Sequence, residues 1–369
     1  MNPARKMVFA ALGAITLIAG AGTAAARDYL LAGVKPDQLV LVDAAARKVE
    51  RSYTIPDCAP GPGGIVPSPD GKVAYVVANR WESVSGIDLE SGREVFRADF
   101  STLGAQGRGE RVKAIAADVT PDGRELFVFQ SAVRIESDEY QVEDPRIAVY
   151  RTSDGTQAKP VRVIPAPQRT SLLAFSRDGS KLYAFSWDVL VLDPATGKEI
   201  GRHPVRHWNR PGYGEPDVLD MWPQWDATGT VVALYTVART DVPPTDPGAA
   251  RTGLLSLDLA TDSFTMDDFE NATTVIFSGV VNPARPNEAF LTYATLTKVD
   301  RERHKVVKRI DLDHTYYAIN IASDGSEVYL GGAMDDIGVY ATDTLKKLAV
   351  IPLPGGGDQA TASLRLIRR

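Results

Sequence analysis

Two kinds of turn alternate along the chain and divide it into seven similar segments. The first kind places a glycine inside a short polar stretch between two apolar, β-rich runs. It reads SPDGK at Ser68, TPDGR at Thr120, SRDGS at Ser176, DATGT at Asp226 and SDGSE at Ser323, with a weaker form, NPARPNEA, at Asn282. The second kind follows the next apolar run and reads ESGR, TSDG, PATG or ATDS. Both predict β-hairpins, because glycine accepts the positive φ that such turns require.

The seven segments have the size of propeller blades. They span residues 28–56, 64–100, 112–165, 171–205, 217–269, 274–312 and 315–354. With the first 26 residues set aside, each accounts for about 49 residues, the length of a four-stranded blade. A β-sandwich is the alternative, but its turns would not recur in this paired order. We predict an all-β fold, a seven-bladed β-propeller with four-stranded blades.

The two ends of the chain are expected to close the ring. The first segment has strands at DYLLAG, QLVLVD and KVERSYTI. It lacks the innermost strand, which in the other segments comes before the first kind of turn. The last segment is complete before GGGDQATASLRLIRR. We expect residues 361–367 to return as the innermost strand of the first blade, which pairs the N- and C-terminal segments and removes a sheet edge. Residues 27–369 would then form a single propeller domain.

The N-terminus has the pattern of a cleaved export signal. Arg5 and Lys6 precede an apolar run at 7–21 that is short for a membrane span, and small residues at 24–26 suit a signal peptidase. We expect residues 1–26 to be a signal peptide that is removed on export to the periplasm. A buried N-terminal helix is the alternative. No second apolar run has spanning length, so no membrane association is expected.

Charge and cysteine content exclude several classes of function. The formal net charge is −6, and it becomes about −8 when Arg5 and Lys6 are removed. A chain this acidic is a poor candidate for nucleic-acid binding, which selects basic patches. The single cysteine, Cys58, provides no disulfide framework, no Cys-rich zinc site and no Cys-x-x-Cys-His motif for covalent haem. We therefore expect no covalently attached c-type haem and no Cys-rich zinc site in this chain.

Six unusual segments are expected on one face of the propeller. With strands a to d counted from axis to rim, the a–b and c–d turns lie on one face, and the b–c and d–a connections lie on the other. The long or chemically unusual segments are 56–64, 79–83, 134–146, 206–217, 239–251 and 313–317. All six are b–c or d–a connections. Because loops are the part of a fold that tolerates insertion and carries function, this one-sided elaboration indicates a recognition surface.

The segment at 206–217 is the most aromatic of the six. It carries Trp208 and Tyr213 on a backbone stiffened by prolines, and we expect both side chains to contact a partner, since tryptophan, tyrosine and arginine dominate interface energies. The alternative is that they fill space between blades. That filling role is the one expected for Trp222 and Trp225.

The sequence predicts no catalytic, cofactor-binding or metal-binding residue. His203 and His207 are four residues apart, a spacing that suits a metal on a helix but is uninformative at a strand end. His314, in DHTYY, is expected to be a hydrogen-bonded loop histidine. No Gly-x-Ser-x-Gly elbow and no phosphate loop occurs. Two alternatives stay open: a stand-alone lactonase- or hydrolase-like propeller that uses carboxylates or a metal at the axis, and a general protein-binding propeller.

Several segments closely resemble the β subunits of quinohemoprotein amine dehydrogenases. They are DYLLAGVKPDQLVLVD, GIDLESGREVF, VYRTSDGTQAKPVRVIP, RHWNRPGYGEPDVLDMWP, DLDHTYY and IPLPGGGDQATAS. The resemblance covers essentially the whole chain after the leader, in the same order, and it includes loops as well as propeller turns. Methylamine dehydrogenase heavy chains are more distant relatives by architecture. The tail departs from the family by ending in Arg368 and Arg369.

The resemblance implies a periplasmic αβγ complex that oxidises primary amines to aldehyde and ammonia. In that family the α subunit carries two c-type haems, the small γ subunit carries cysteine tryptophylquinone, and the β subunit holds γ and helps to wall the substrate cavity without redox cofactors or catalytic residues of its own. The residues of matching segments that form the hypothesised partner or cavity face are Trp208, Asn209, Tyr213, Asp217, His314, Tyr316 and Tyr317.

Overall fold

Seven antiparallel β-sheets are arranged as the blades of a propeller. The computed structural model describes residues 26–219, 222–359 and 363–369. The predicted signal peptide therefore lies outside the described residues, apart from Ala26. In these three ranges the chain is almost entirely β-strand and turn, with four short 3-10 turns and no α-helix. No helix within them has the length and hydrophobicity needed to cross a bilayer. The predicted seven-bladed propeller with four-stranded blades is confirmed.

Within each blade, successive strands along the chain lie progressively farther from the axis, and the innermost strand of blade one comes from the C-terminus. Blades one to three contain β1 (Asp28–Val34), β2 (Gln38–Asp43), β3 (Lys48–Thr54); β4 (Ile65–Pro67), β5 (Val73–Ala78), β6 (Ser83–Asp88), β7 (Glu94–Asp99); and β8 (Thr102–Leu103), β9 (Gly109–Val119), β10 (Glu125–Ile135), β11 (Tyr140–Val142), β12 (Arg146–Arg151), β13 (Arg162–Pro165). Blade three has six strands, because β8 extends the sheet beside β9 and β11 pairs with the end of β10.

The remaining four blades are regular. They contain β14 (Leu172–Phe175), β15 (Leu182–Phe185), β16 (Val189–Leu192), β17 (Glu199–His203); β18 (Asp217–Leu219), β19 (Thr230–Ala238), β20 (Ala250–Asp258), β21 (Phe264–Asn271); β22 (Ile276–Val281), β23 (Glu288–Tyr293), β24 (Thr295–Asp300), β25 (Lys305–Asp311); and β26 (Ala318–Ile321), β27 (Glu327–Gly331), β28 (Asp336–Ala341), β29 (Lys347–Pro352). The last strand, β30 (Arg365–Arg368), belongs to blade one.

The a–b turns owe their shape to a repeated hydrogen-bond pattern. In the blade-four turn the Ser176 hydroxyl donates to Asp178 (2.7 Å) and accepts from the amide of Lys181 (2.9 Å), while Gly179 adopts φ 73°. The Ser176 hydroxyl and the amide and hydroxyl of Ser180 lower the pKa of Asp178 to about 2. Blades two and three repeat the pattern. The Asp-Gly motif therefore fixes the hairpin through local bonds, as the sequence predicts.

The closing strand pairs the two ends of the chain. β30 is antiparallel to β1, with Leu366 opposite Leu30. The backbones of Arg27 and Arg369 exchange hydrogen bonds of 2.7 and 3.0 Å, which extend this pairing to the last residue. The predicted closure is confirmed, but the closing strand begins at Arg365 rather than at 361, and residues 360–362 lie outside the described residues.

Apolar side chains fill the space between neighbouring blades. Between blades two and three the ring of Phe96 packs edge-on against Tyr75 (centroids 5.5 Å apart) and Tyr150 (6.3 Å), and all three are buried. Phe127 and Phe175 make the equivalent contact between blades three and four at 5.0 Å. Alternating burial along each strand directs these side chains to both sides of a sheet, because each blade is covered by two neighbours.

Candidate interaction face and axial cavity

The six elaborated segments lie on one face of the propeller, as predicted from their position between strands. They connect β3 to β4, β5 to β6, β10 to β12, β17 to β18, β19 to β20 and β25 to β26. Each is a b–c or d–a connection, and the two kinds share a face because strand direction alternates within a blade. We call this the elaborated face.

A cavity of about 700 Å³ opens at the propeller axis on the elaborated face. Its walls come from the link at 60–64, from the exposed side of the inner strand β9, and from residues next to the inner strands of three other blades. These are Leu172 at the start of β14, Trp222 and Pro223 after β18, and Tyr317 directly before β26. Lys113 and Ile115 of β9 are exposed there, while the alternate residues Val112 and Ala114 are buried. The size is that of a small-molecule site or of a pocket that accepts a few side chains.

One wall of this cavity is a strained turn. Asn79, Arg80 and Trp81, between β5 and β6, have φ values of 50°, 55° and 68°. Non-glycine residues avoid this region, and each such residue costs about 1–3 kcal/mol. The turn holds the Trp81 indole at the cavity, 45% exposed and with the Lys113 ammonium 5.6 Å from the ring centroid. A Cβ on Gly63 would lie 2.8 Å from this indole, so the link at 60–64 must carry glycine there.

Stacked aromatic rings form another part of the cavity wall. Trp222 is 7% exposed and stacks on Tyr317 with centroids 6.1 Å apart. Phe277 packs against both rings, at 5.7 and 5.2 Å. Both Trp222 and Tyr317 line the cavity. The predicted filling role of Trp222 is therefore realised at the axis, where three inner strands converge, as well as between blades.

A buried ion pair stands on the axis. The Arg365 guanidinium contacts the Asp226 carboxylate through Nε (3.0 Å) and Nη2 (2.6 Å), and both side chains are less than 10% exposed. Asn320 Nδ2 and the amide of Leu366 also donate to Asp226, at 2.9 and 3.0 Å. Arg365 Nη1 donates to the carbonyl of Ile65 at 2.7 Å. The closing strand is thereby tied to blades two, five and seven.

A second axial carboxyl, Asp118, lies at the end of β9. Its oxygens accept the amides of Val119 and Phe175, both at 2.9 Å. Burial raises the pKa of Asp118 to about 6, although the positive charge of Arg365 and the two amides oppose this rise. Asp118 and the Asp226–Arg365 pair line a cavity of about 610 Å³ on the opposite face. None of these three axial charges was predicted from the sequence to be a site residue.

The segment at 206–217 folds back on blade five. Arg210 forms two hydrogen bonds of 2.8 Å to the Asp268 carboxylate, which also accepts from the Tyr235 hydroxyl at 2.7 Å. A Cβ on Gly253 would lie 2.0 Å from the Tyr235 ring, so the tyrosine reaches Asp268 only because residue 253 is glycine. The Arg210 guanidinium lies 3.8 Å from the centroid of the Tyr213 ring. The segment is therefore a fixed part of the face.

Trp208 and Tyr213 lie together within this segment. Their ring centroids are 6.0 Å apart, and Trp208 also meets the Tyr235 ring at 5.8 Å. The Trp208 indole N–H donates to the carbonyl of Gly214 at 2.8 Å. Both rings are half-buried, so each combines packing against blade five with an accessible edge. Asn209 and Asp217, at the two sides of this pair, are exposed.

His314 and Tyr316 form a separate cluster at the start of blade seven. His314 Nδ1 lies 2.9 Å from the carbonyl oxygen of Thr315, and its Nε2 lies 3.1 Å from a carboxylate oxygen of Asp336. The two rings are 4.2 Å apart. Tyr316 is buried, and burial together with the charge of Asp336 raises the pKa of its phenol. Of the seven residues in the hypothesised face, Tyr317 alone lines the axial cavity.

The other histidines and the cysteine lie apart from the cavity. His203 contacts Asp262 (2.7 Å) and stacks on Phe264, whereas His207 contacts a different carboxylate, Asp188 (2.8 Å). Within the described ranges no three potential ligands are grouped to hold a metal ion. Cys58 is buried, and burial raises the pKa of its thiol to about 12.

A further aromatic residue of the elaborated face is Trp187, between β15 and β16. It is 50% exposed, and the guanidinium groups of Arg169 and Arg206 lie 5.1 and 4.4 Å from the ring centroid. Arg206 also pairs with Glu215 at 2.6 Å. Trp81 lies in one of the six unusual segments but was assigned no role, and Trp187 was not predicted to be on this face. A tryptophan in a short b–c turn, where small polar residues are usual, is a signal that could have singled out both.

The acidic stretch at 134–146 is a hairpin rather than the loop that its composition indicates. β10 continues for 11 residues and turns back into β11, where Tyr140 and Val142 are 74% and 79% exposed. Arg134 pairs with Glu143 at 2.8 Å across the hairpin. The strand β9 pairs along the extended part of β10, so the hairpin projects beyond the blade on the elaborated face.

Comparison with known proteins identifies the architecture alone. No protein-family model and no curated protein sequence matches the chain. Among solved structures, the chain is similar to hydrazine synthase of Kuenenia stuttgartiensis (TM-score 0.57, 14% identity, 84% of this chain and 90% of that one). It is also similar to dihydro-heme d1 dehydrogenase NirN (TM-score 0.51, 13% identity, 92% of this chain and 75% of that one). A third similar structure is a protein of unknown function from Desulfotomaculum acetoxidans (TM-score 0.57, 11% identity, 92% of this chain and 98% of that one). At these identities the likeness establishes a shared β-propeller fold.

Proposed function

We propose that this chain is the non-catalytic β subunit of a periplasmic quinohemoprotein amine dehydrogenase. The observation that carries the proposal is the axial cavity on the elaborated face, walled by Trp81, Trp222 and Tyr317 and surrounded by rigid aromatic segments. Six segments of the sequence resemble β subunits of that family, whereas no family model and no curated protein sequence matches the chain. Two of the similar propellers, by their titles a hydrazine synthase and a dihydro-heme d1 dehydrogenase, occur in redox proteins, which is compatible with this role.

In the proposed complex the elaborated face holds the small γ subunit. The half-buried rings of Trp208 and Tyr213 are fixed by Arg210, so they contact a partner with little loss of conformational freedom. The aromatic wall at Trp222 and Tyr317 keeps water from the boundary with the partner, where the amine substrate would bind. Cysteine tryptophylquinone in γ would supply the amine oxidation, and two c-type haems in α would take the electrons. The absence of a Cys-x-x-Cys-His motif from this chain is compatible with haems carried by α, as the resemblance implies.

A stand-alone hydrolase-like propeller is the second candidate, and Asp118 is the observation that favours it. A buried carboxyl whose pKa is raised to about 6 could act as a general base near neutral pH. Both of its oxygens, however, already accept backbone amides, and Asp226 is paired with Arg365. The axial carboxylates therefore have a structural role that needs no substrate.

Purification of the tagged mature chain from its native periplasm tests the proposal. We expect a stoichiometric complex with a c-type haem absorbance spectrum and a small subunit whose intact mass shows internal cross-links. The complex should oxidise primary amines with an artificial electron acceptor. A cofactor-free monomer from amine-grown cells that express the chain would contradict the proposal.

A further inference from the structure

The mouth of the axial cavity is basic, although the chain as a whole is acidic. Lys35, Arg80 and Lys113 line the cavity, whereas Asp358 is the single carboxylate among its described lining residues and lies 3.2 Å from Lys35. In the part of the chain that the structure describes, neither Arg80 nor Lys113 forms an ion pair with a carboxylate. The formal net charge of the chain is −6. Two cations are thus presented to the cavity on an otherwise acidic protein.

Both cations line the same cavity, Arg80 from the strained turn and Lys113 from the neighbouring strand β9. Arg80 is the middle residue of the positive-φ turn, and Lys113 lies with its ammonium over the Trp81 ring. Backbone strain that persists in a fold is concentrated at binding and catalytic sites. An indole beside two cations forms a pocket for a group that has both an apolar part and a negative charge.

The surroundings of the mouth favour a protein as the source of that group. Trp81, Ile115 and Trp187 are 45%, 55% and 50% exposed, and all three lie on the elaborated face. Trp187 carries two further arginines over its ring. Exposed aromatic residues interleaved with arginine are the composition of protein-interface hot spots, and they extend beyond the cavity that a small ligand would fill.

We propose that the partner subunit inserts a segment into the axial cavity and places an aspartate or glutamate carboxylate between Arg80 and Lys113. The apolar part of the inserted segment would pack on Trp81 and Ile115. This inference rests on the proposed function, since it specifies how the partner is recognised. The carboxylates at the tip of the β10–β11 hairpin are not among the cavity-lining residues and would face a different part of the partner.

Charge removal at the mouth tests the proposal against a matched control. The variant Arg80→Gln/Lys113→Gln removes two positive charges from blades two and three at the cavity. The control Lys72→Gln/Arg124→Gln removes two from the a–b turns of the same blades, on the opposite face, where the side chains are 77% and 85% exposed. Circular dichroism and thermal unfolding establish that each variant folds.

Affinity for the co-purified partner is then measured at several salt concentrations. We expect the mouth variant to bind at least about tenfold more weakly than wild type, because it leaves a desolvated carboxylate unpaired, and to show a shallower salt dependence. The control should bind within about twofold of wild type, since its two side chains lie on the opposite face and exposed ion pairs such as theirs contribute little. Equal affinities of the mouth variant and the control would overturn the proposal.

Zero-length carbodiimide cross-linking of the wild-type complex locates the carboxylate directly. We expect mass spectrometry to find an amide bond between Lys113 Nζ and an aspartate or glutamate of the partner, and none between Lys72 and the partner. Saturable binding of phenylacetate to the isolated chain, with partner affinity unchanged in the mouth variant, would overturn the proposal in favour of a small-molecule site. If the wild-type chain captures no partner, the proposed function itself fails.

Discussion

At the scale of single residues, Asp118 makes stability depend on pH. Its raised pKa of about 6 means that the folded chain holds this proton more tightly than the unfolded chain, whose aspartate has its ordinary pKa of 3.8. The stabilisation from protonated Asp118 is therefore complete below about pH 4 and is lost as pH rises through 6. Asp118→Asn stays neutral, so we expect its stability relative to wild type to improve by roughly 2–3 kcal/mol between pH 4 and 7.5.

Urea unfolding of both proteins at a series of pH values measures this difference. The hydrogen bonds that asparagine gains or loses change the free energy of unfolding by the same amount at every pH. The test is therefore whether the difference in this free energy between Asp118→Asn and wild type changes with pH. Asp138→Asn removes a carboxylate from the exposed hairpin tip and controls for the loss of one charge. Parallel wild-type and Asp118→Asn profiles would contradict the assignment.

Asp226 and Arg365 are expected to depend on each other. Asp226→Ala leaves a guanidinium buried without its carboxylate, which should lower the free energy of unfolding by about 3–5 kcal/mol. The double variant Asp226→Ala/Arg365→Met removes both charges and should recover most of that loss. Denaturant unfolding at pH 7 gives the two values. Equal losses in the single and double variants would show that the pairing is not what stabilises the axis.

At the scale of elements, the segment at 206–217 keeps its shape through one carboxylate. Asp268→Ala removes the acceptor for Arg210 and Tyr235, and we expect a loss of about 2–3 kcal/mol, because Arg210 is partly exposed and can recover hydration. Trypsin should then cleave faster after Arg206. Asp267→Ala, on the same strand but more exposed, should leave the cleavage rate unchanged. An unchanged rate in Asp268→Ala would show that other contacts hold the segment.

Prediction at this scale succeeds for strands and fails for the course of the connections. The Ser-x-Asp-Gly turns bond within themselves, so their hairpins can be predicted from five residues. The hairpin at 134–142 has a composition typical of a solvated loop, and it becomes strand because β9 supplies a partner for the extended β10. The pairing of Arg210 with Asp268 joins residues 58 positions apart, which no local pattern encodes.

At the scale of the whole molecule, the ring depends on β30. Without it, β1 would be the open edge of blade one, and the ties from Arg365 to blades two and five would be lost. We expect truncation after Leu364 to abolish the single cooperative unfolding transition and to reduce the soluble yield, whereas removal of Arg369 alone should preserve both. Thermal unfolding followed by circular dichroism checks this. A cooperative transition in the longer truncation would show that closure is dispensable.

The sequence by itself determined the number of blades, their common four-stranded plan, the closure of the ring and the face on which the unusual segments lie. These features depend on turns whose hydrogen bonds join residues a few positions apart and on the alternation of apolar and polar residues along strands. Short stretches of the sequence are therefore enough to predict them. Only the tertiary structure decided that Asp118, Asp226 and Arg365 meet at the axis and that Arg80 and Lys113 share one cavity. These residues belong to different blades, and they become neighbours because inner strands that are distant in sequence converge on one axis.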